Sequence, residues 1–81
     1  MKLATRAALI DRYGMRLTME QVAEILGWST HTVYQQAVNG SLPIRTYKEG
    51  SRRYASYEAV ADYLDGKDEE AMQEQKRKPG R

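Results

Sequence analysis

Uncharged polar side chains occupy the start of a predicted helix over residues 29–38. They are Ser29, Thr30, His31, Thr32, Tyr34 and Gln35. Gln can hydrogen-bond adenine through two atoms, Thr methyl groups fit against thymine methyls, and hydroxyls donate to bases or phosphates. The helix N-terminus also favours a phosphate. This face therefore predicts a helix that reads base edges in the major groove of DNA. A solvated polar helix face is the alternative interpretation.

A second group of candidate residues is basic and lies within residues 45–54. Its members are Arg45, Lys48, Arg52 and Arg53, against one acidic residue, Glu49. At a hairpin tip, arginine side chains can reach a minor groove or clamp phosphates. Because alternate residues of a strand face opposite ways, we expect one of Arg52 and Arg53 to point at DNA and the other away. Basic residues also protect sheet edges, so a solubilising edge strand is the alternative.

A helix-turn-helix is predicted to position the polar group. Its first helix spans residues 18–26, where Thr18 and Gln21 have the spacing of a capping box and Gly27 ends the helix. Its apolar stripe consists of Val22, Ile25 and Leu26, with Ala23 beside it. Only Gly27 and Trp28 separate the two helices, which is the spacing of a helix-turn-helix, and we expect Trp28 to fill the corner.

The second helix of the pair leads into an extended segment. Ser29 is its predicted N-cap, Val33 and Ala37 face the core, and Gly40 ends it. Residues 42–55 then predict a two-stranded hairpin. Its first strand has strand propensity at Ile44, Thr46 and Tyr47, its turn lies at residues 49–51, and its return strand spans residues 52–55. A hairpin directly after a helix-turn-helix is typical of a wing.

Flanking helices are predicted on both sides of this unit. Residues 3–13 carry apolar residues at helical spacing, namely Leu3, Ala7, Ile10 and Tyr13, before Gly14. Residues 57–64 form a helix capped by Ser56 and ended by Gly66, with Val60, Tyr63 and Leu64 packing on the core. We also expect Tyr54 in the core, because the chain has no Phe. Residues 67–78 form an exposed helix or stay disordered.

The predicted organisation is one mainly α winged helix-turn-helix domain with a small β-hairpin wing and two tails. Residues 1–16 are an N-terminal helical extension, residues 17–65 are the DNA-binding domain, and residues 66–81 are a charged C-terminal tail. Residues 1–16, 45–54 and 76–81 are basic, whereas residues 55–75 carry one Lys against seven acidic residues. This pattern predicts a basic face for double-stranded DNA. Lys76, Arg77 and Lys78 either contact phosphates or form a solvated tail.

Composition excludes several kinds of chemistry. The 81-residue chain has no Cys and one His, which excludes thiol catalysis, thiol ligands and a His-rich metal site. It has no Ser-His-Asp arrangement and no Gly-rich phosphate loop, so we expect neither an enzyme nor a cofactor. No apolar run approaches the roughly 18 residues of a membrane span, and the N-terminus lacks a secretory core. We expect a cytoplasmic protein that associates with the nucleoid when bound.

Residues 17–34, with the turn Gly27-Trp28, resemble the opening of the MerR-like winged helix-turn-helix superfamily. Its small members include phage and conjugative-element excisionases and AlpA-type regulators. Residues 39–43 (Asn39-Gly40-Ser41-Leu42-Pro43) are similar to the family's link to the wing. Residues 51–54 and 56–64 are similar to its second wing strand and the following helix. Residues 9–14, 42–44 and 61–65 are also similar to the pyocin-activator family of small transcription factors.

The resemblance, which covers residues 16–65, implies a mode of binding. The helix at 29–38 would lie in the major groove, and the wing at 44–54 would contact an adjacent minor groove or backbone. The implied DNA contacts are Ser29, Thr30, His31, Tyr34, Gln35, Arg52 and Arg53. The family often has basic residues where this chain has Thr30, His31 and Gln35. Full-size MerR regulators add a coiled coil and an effector domain, and the short acidic tail supplies neither.

Three functional hypotheses follow. The first is an excisionase, or recombination directionality factor, which binds and bends DNA beside an integrase attachment site, with integrase as a partner and with cooperative self-association on DNA. The second is a small transcriptional regulator of a phage or mobile element, which uses the same fold on other sites. The third is a protein-docking DNA module, in which residues 67–81 form the interaction arm.

Overall fold

The computed structural model describes residues 3–77, which form four helices and one small antiparallel sheet. The elements in chain order are α1 (Leu3–Tyr13), β1 (Arg16–Thr18), α2 (Met19–Leu26), α3 (Thr30–Asn39), β2 (Tyr47–Glu49), β3 (Arg52–Ser56) and α4 (Tyr57–Arg77). The predicted fold class is confirmed: the chain is mainly helical, with a helix-turn-helix followed by a hairpin. We call β2, β3 and their turn the wing. The expectations for the side chains of Lys76 and Arg77, and for Lys78 and the residues after it, lie outside what the structure describes.

Local capping interactions set the ends of the helix pair, as predicted. The Thr18 hydroxyl accepts a hydrogen bond from the Gln21 amide at 3.2 Å, and the Gln21 side chain accepts one from the Thr18 amide at 3.0 Å. Gly27 ends α2 in the left-handed region, at φ 74°. The Ser29 hydroxyl caps α3 by accepting from the Thr32 amide at 3.1 Å. These contacts satisfy amides that helix ends leave without partners.

The sheet contains one strand more than the sequence predicts. Its order is β1-β3-β2, so β3 is central. Leu17 of β1 lies opposite Ala55 of β3, and both side chains are buried. The predicted boundary between extension and domain, at residues 16 and 17, therefore falls inside a strand. A three-residue strand with a single apolar position is too short for alternation to reveal it. The first wing strand also starts later than predicted, at Tyr47, and Ile44 is buried in the link before it.

The core draws side chains from every element except β2. The predicted positions Val22, Ala23, Val33 and Val60 are buried, and Ile25, Leu26, Ala37, Tyr63 and Leu64 pack against them partly exposed. Leu9 of α1 and Leu17 of β1 are buried in the same core. The N-terminal extension is thus part of the folded unit.

The predicted apolar face of α1 is wrong except at Tyr13. Leu3 is 80% exposed, and Ala7 and Ile10 are also exposed, whereas Leu9 is buried. Polar contacts with α4 accompany this orientation of the helix. Arg6 pairs with Glu58 and Asp62, and Thr5 donates a hydrogen bond to Asp65 at 3.2 Å. These contacts place the side of α1 that carries Thr5, Arg6 and Leu9 against α4.

Two further expectations are corrected. Trp28 does not fill the corner of the helix pair, because its side chain is 38% exposed. Backbone hydrogen bonds close the corner instead, from the amides of Gly27 and Trp28 to the Ala23 carbonyl. Gly66 does not end the last helix, since α4 continues through it to Arg77. The φ angle of Gly66 is not positive. Lys67 and Glu70 form an ion pair in the helical turn that follows it.

Leu17→Ala tests the unpredicted strand. Removing a fully buried Leu side chain leaves a cavity, so the free energy of unfolding should fall by about 2–5 kcal/mol. Leu3→Ala is the matched control and should change it little, because Leu3 is exposed. Urea denaturation of both variants measures the difference. Equal effects would show that β1 does not belong to the core.

Gly66→Ala tests the continuity of α4. An added Cβ meets no atom within 4 Å, so the substitution should raise helical content by circular dichroism. It should also raise the free energy of unfolding by about 0.5–1 kcal/mol. Gly27→Ala should lower that free energy by about 1–2 kcal/mol, since Gly27 is left-handed. A loss of helix in Gly66→Ala would indicate that the chain bends at that residue.

Candidate nucleic-acid interface

The exposed side of α3 carries most of the predicted base-reading residues. Burial of Val33 turns Thr30, His31, Tyr34 and Gln35 outward. The hydroxyls of Ser29 and Thr32, also predicted contacts, hydrogen-bond each other at 2.8 Å at the start of the helix. No residue of α3 carries a formal charge. The helix therefore offers hydrogen-bonding and apolar groups without attracting phosphates through side-chain charge.

An open groove separates α3 from the wing, with a volume of about 300 Å³. Thr30 and Tyr34 line it from α3, residues 51–54 line it from the wing, and residues 18–20 line it from the start of α2. We call it the α3–wing groove. It brings together four of the ten predicted contacts: Thr30, Tyr34, Arg52 and Arg53. Groups suited to base edges thus lie across the groove from groups suited to phosphates.

The two adjacent arginines of the wing differ in their surroundings, as alternation along a strand predicts. Arg53 shares a face of β3 with the buried Ala55, is half-buried, and donates a hydrogen bond to the Thr46 hydroxyl at 3.0 Å. Arg52 is exposed and has no ion pair or side-chain hydrogen bond with any other residue in the range 3–77. Arg52 is therefore the arginine of the groove whose guanidinium is available to a phosphate.

Arg16 contacts the wing beside the candidate interface, which the sequence did not reveal. Its guanidinium carbon lies 3.9 Å from the centroid of the Tyr54 ring, and it forms an ion pair with Glu49 at the end of β2. Hydrogen bonds with Tyr47 and Glu49 raise the pKa of Arg16 above its ordinary value. Arg16 thus connects β1 to both strands of the wing. No sequence signal identified it, because β1 itself was not predicted.

Tyr54 lies in this cluster instead of in the core, which corrects the expectation for it. The inward position on β3 belongs to its neighbour Ala55, so alternation turns Tyr54 to the outer face of the sheet. There it is half-buried between Arg16 and Tyr47, with 6.0 Å between the two tyrosine ring centroids. Its edge still borders the α3–wing groove.

The other two basic residues predicted to bind DNA do not line the groove. Arg45 pairs with Asp62 of α4 at 3.3 Å. Lys48 is exposed on β2 and lies opposite Arg53 in the strand register. His31 and Gln35 line a separate open depression on the exposed side of α3, together with Tyr34, Val38 and Asn39. We call this surface the α3 depression.

Arg16→Met tests whether Arg16 holds the wing in place. The variant keeps an apolar side chain and removes the guanidinium, so amide hydrogen exchange over residues 47–54 should become a few-fold faster. Arg12→Met is the matched control, because Arg12 also pairs with a carboxylate, Glu24, and lies over a ring, Tyr13, but outside the wing. Unchanged exchange in the wing of Arg16→Met would rule out the positioning role.

Other observations add little to the geometry of the site. Within residues 3–77, no three His, Asp or Glu side chains come together in a way that could hold a metal ion. No helix in that same range combines the length and apolar character that crossing a membrane requires. Comparisons of the chain with protein-family models, curated proteins and solved structures give no match.

Proposed function

We propose that the protein binds double-stranded DNA in a sequence-specific manner, with α3 in the major groove and the wing against the neighbouring backbone. The observation that carries this proposal is the α3–wing groove. In it, Thr30 and Tyr34 of a solvent-exposed helix lie across from Arg52 and Arg53. A duplex presents the same two kinds of surface, base edges in its groove and phosphates at the rim.

In this arrangement, α3 and the wing make different contributions to binding. Because α3 carries no charge, electrostatic attraction comes from the wing, chiefly from Arg52. Phosphate contacts supply affinity and position, whereas contacts to base edges supply sequence preference. The contacts of Arg16 with Tyr54 and Glu49 support this division, because they connect β1 to both strands of the wing that carries Arg52.

We further propose that the biological role of this DNA binding is that of an excisionase. It would bind repeated sites beside an integrase attachment site and bend or coat the DNA, so that integrase favours excision. No bond chemistry is required of this chain, and its partners would be integrase and further copies of itself on adjacent sites. Support comes from the sequence resemblance over residues 16–65, together with a groove that matches the docking mode that the resemblance implies.

Two other functions compete with the excisionase proposal. A transcriptional regulator would use the same groove and differ in its genomic sites. A docking module would use α4 as well, because the exposed, largely acidic residues 67–75 extend the helix beyond the core. In that case, deletion of residues 67–81 would abolish binding to the protein partner and spare binding to DNA.

Selection of genomic DNA fragments by the purified protein, followed by footprinting, separates these functions. Tandem or inverted repeats beside an integrase attachment site would support the excisionase, and the spacing of the footprints would give the number of copies bound. Sites at promoters alone would favour the regulator. No enriched fragment at moderate salt would count against sequence-specific DNA binding and favour protein docking.

Substitution of the wing arginines tests whether they bind phosphates as proposed. Arg52→Ala should weaken binding to all duplexes and reduce the slope of log K against log salt by about 0.9 for each phosphate that is no longer neutralised. Arg53→Ala added to it should reduce the slope further only if Arg53 leaves Thr46 to bind DNA. Lys67→Ala, which removes one charge from α4, is the control and should leave the slope unchanged. An unchanged slope in the double variant would reject the wing as a DNA-binding element.

A further inference from the structure

We infer that the α3 depression reads A·T base pairs through the 5-methyl group of thymine, with Val38 as the main apolar contact. The inference rests on the proposed DNA-binding function and deepens it by naming the class of sequence bound. Val38 was not among the residues that the sequence predicted to bind DNA.

The α3 depression has an apolar surface without a partner among residues 3–77. Val38 is 57% exposed and Tyr34 is 48% exposed. The two residues are four apart, so their side chains are neighbours on one face of the helix. Water contact with these side chains costs free energy, which an apolar group of suitable size would relieve. In the major groove, the thymine methyl is the apolar group that the base pairs present.

The polar residues of the same surface point to the same base pair. Gln35 lines the depression together with Tyr34 and Val38, and its amide can pair with adenine through N6 and N7. The commonest guanine contact needs Arg or Lys, and α3 contains neither. An A·T pair presents the adenine edge and the thymine methyl side by side, so Gln35 and Val38 can read one pair or two neighbouring pairs.

Continuity with the α3–wing groove favours DNA over a protein as the occupant. Tyr34 lines both the groove and the α3 depression. A duplex whose phosphates meet Arg52 would therefore cover Val38 as its major groove receives α3. The exposed apolar residues of α1 and α4, such as Leu3 and Met72, have no such connection to the groove.

Uracil substitution tests the inference directly. The full chain would first select its best duplex from a random-sequence library. That duplex would then be resynthesised with uracil in place of thymine inside the footprint of α3, which removes only the methyl groups. We expect a loss of affinity of about four-fold for each methyl contacted. Uracil placed only outside the footprint should not change the Kd.

Variants assign the effect to α3. Val38→Ala should lower the ratio of thymine to uracil affinities by about four-fold for each methyl group that Val38 contacts. Met72→Ala, which removes an equally exposed apolar side chain from α4, should preserve that ratio. Circular dichroism would check that both variants fold.

Two results would overturn the inference alone: equal affinity for the thymine and uracil duplexes, or a selected site rich in G·C pairs under α3. Failure of the chain to bind any duplex would overturn the proposed function and this inference together.

Discussion

The position of β3 at the centre of the sheet is the constraint on which the rest of the interface depends. Ala55 lies inward against Leu17, and both are buried. Because side chains alternate along a strand, this one inward position fixes the directions of its neighbours Arg53 and Tyr54. The same strand joins the N-terminal segment to the wing through antiparallel pairing on both edges. The wing is therefore anchored to the core beside α3. An isolated hairpin of this size would be only marginally stable.

The arginines of the chain differ in whether a carboxylate pairs with them. Asp62 of α4 receives both Arg6 and Arg45, and Glu49 receives Arg16. Exposed pairs of this kind contribute about 0–1 kcal/mol each to stability, so their main effect is on orientation. They hold α1 on α4, hold the link before β2 near α4, and hold the wing near β1. Arg52 has no such partner within residues 3–77, and its charge is therefore available at the groove.

The side chains of α3 determine how the proposed interface would recognise DNA. A recognition helix with arginines gains affinity for any DNA along with contacts to guanine. This helix carries none, so under the proposed function its contribution would depend on the fit of its side chains to particular base pairs, through Thr30, Tyr34, Gln35 and Val38. In the proposed mode of binding, affinity would rest on the wing and sequence preference on α3.

The sequence alone determined the features that local interactions control. The capping box at Thr18, the N-cap at Ser29 and the left-handed Gly27 place the ends of α2 and α3, because their hydrogen bonds span only a few residues. Alternation along β3 separated Arg52 from Arg53, and the helical period separated Val33 from the exposed face of α3. These rules were enough for the fold class and for the two elements that form the candidate site.

Only the tertiary structure decided what depends on partners distant in the chain. The strand β1 exists because Leu17 meets Ala55, 38 positions away, and that pairing brings Arg16 into contact with the wing. The rotation of α1 follows its contacts with α4, which its own apolar spacing does not encode. Arg45 and Arg52 are both exposed arginines of one segment, yet Asp62 holds the first and no carboxylate within residues 3–77 holds the second. Residue type and spacing describe what a side chain can do, whereas its partners in space decide which of those contacts it makes.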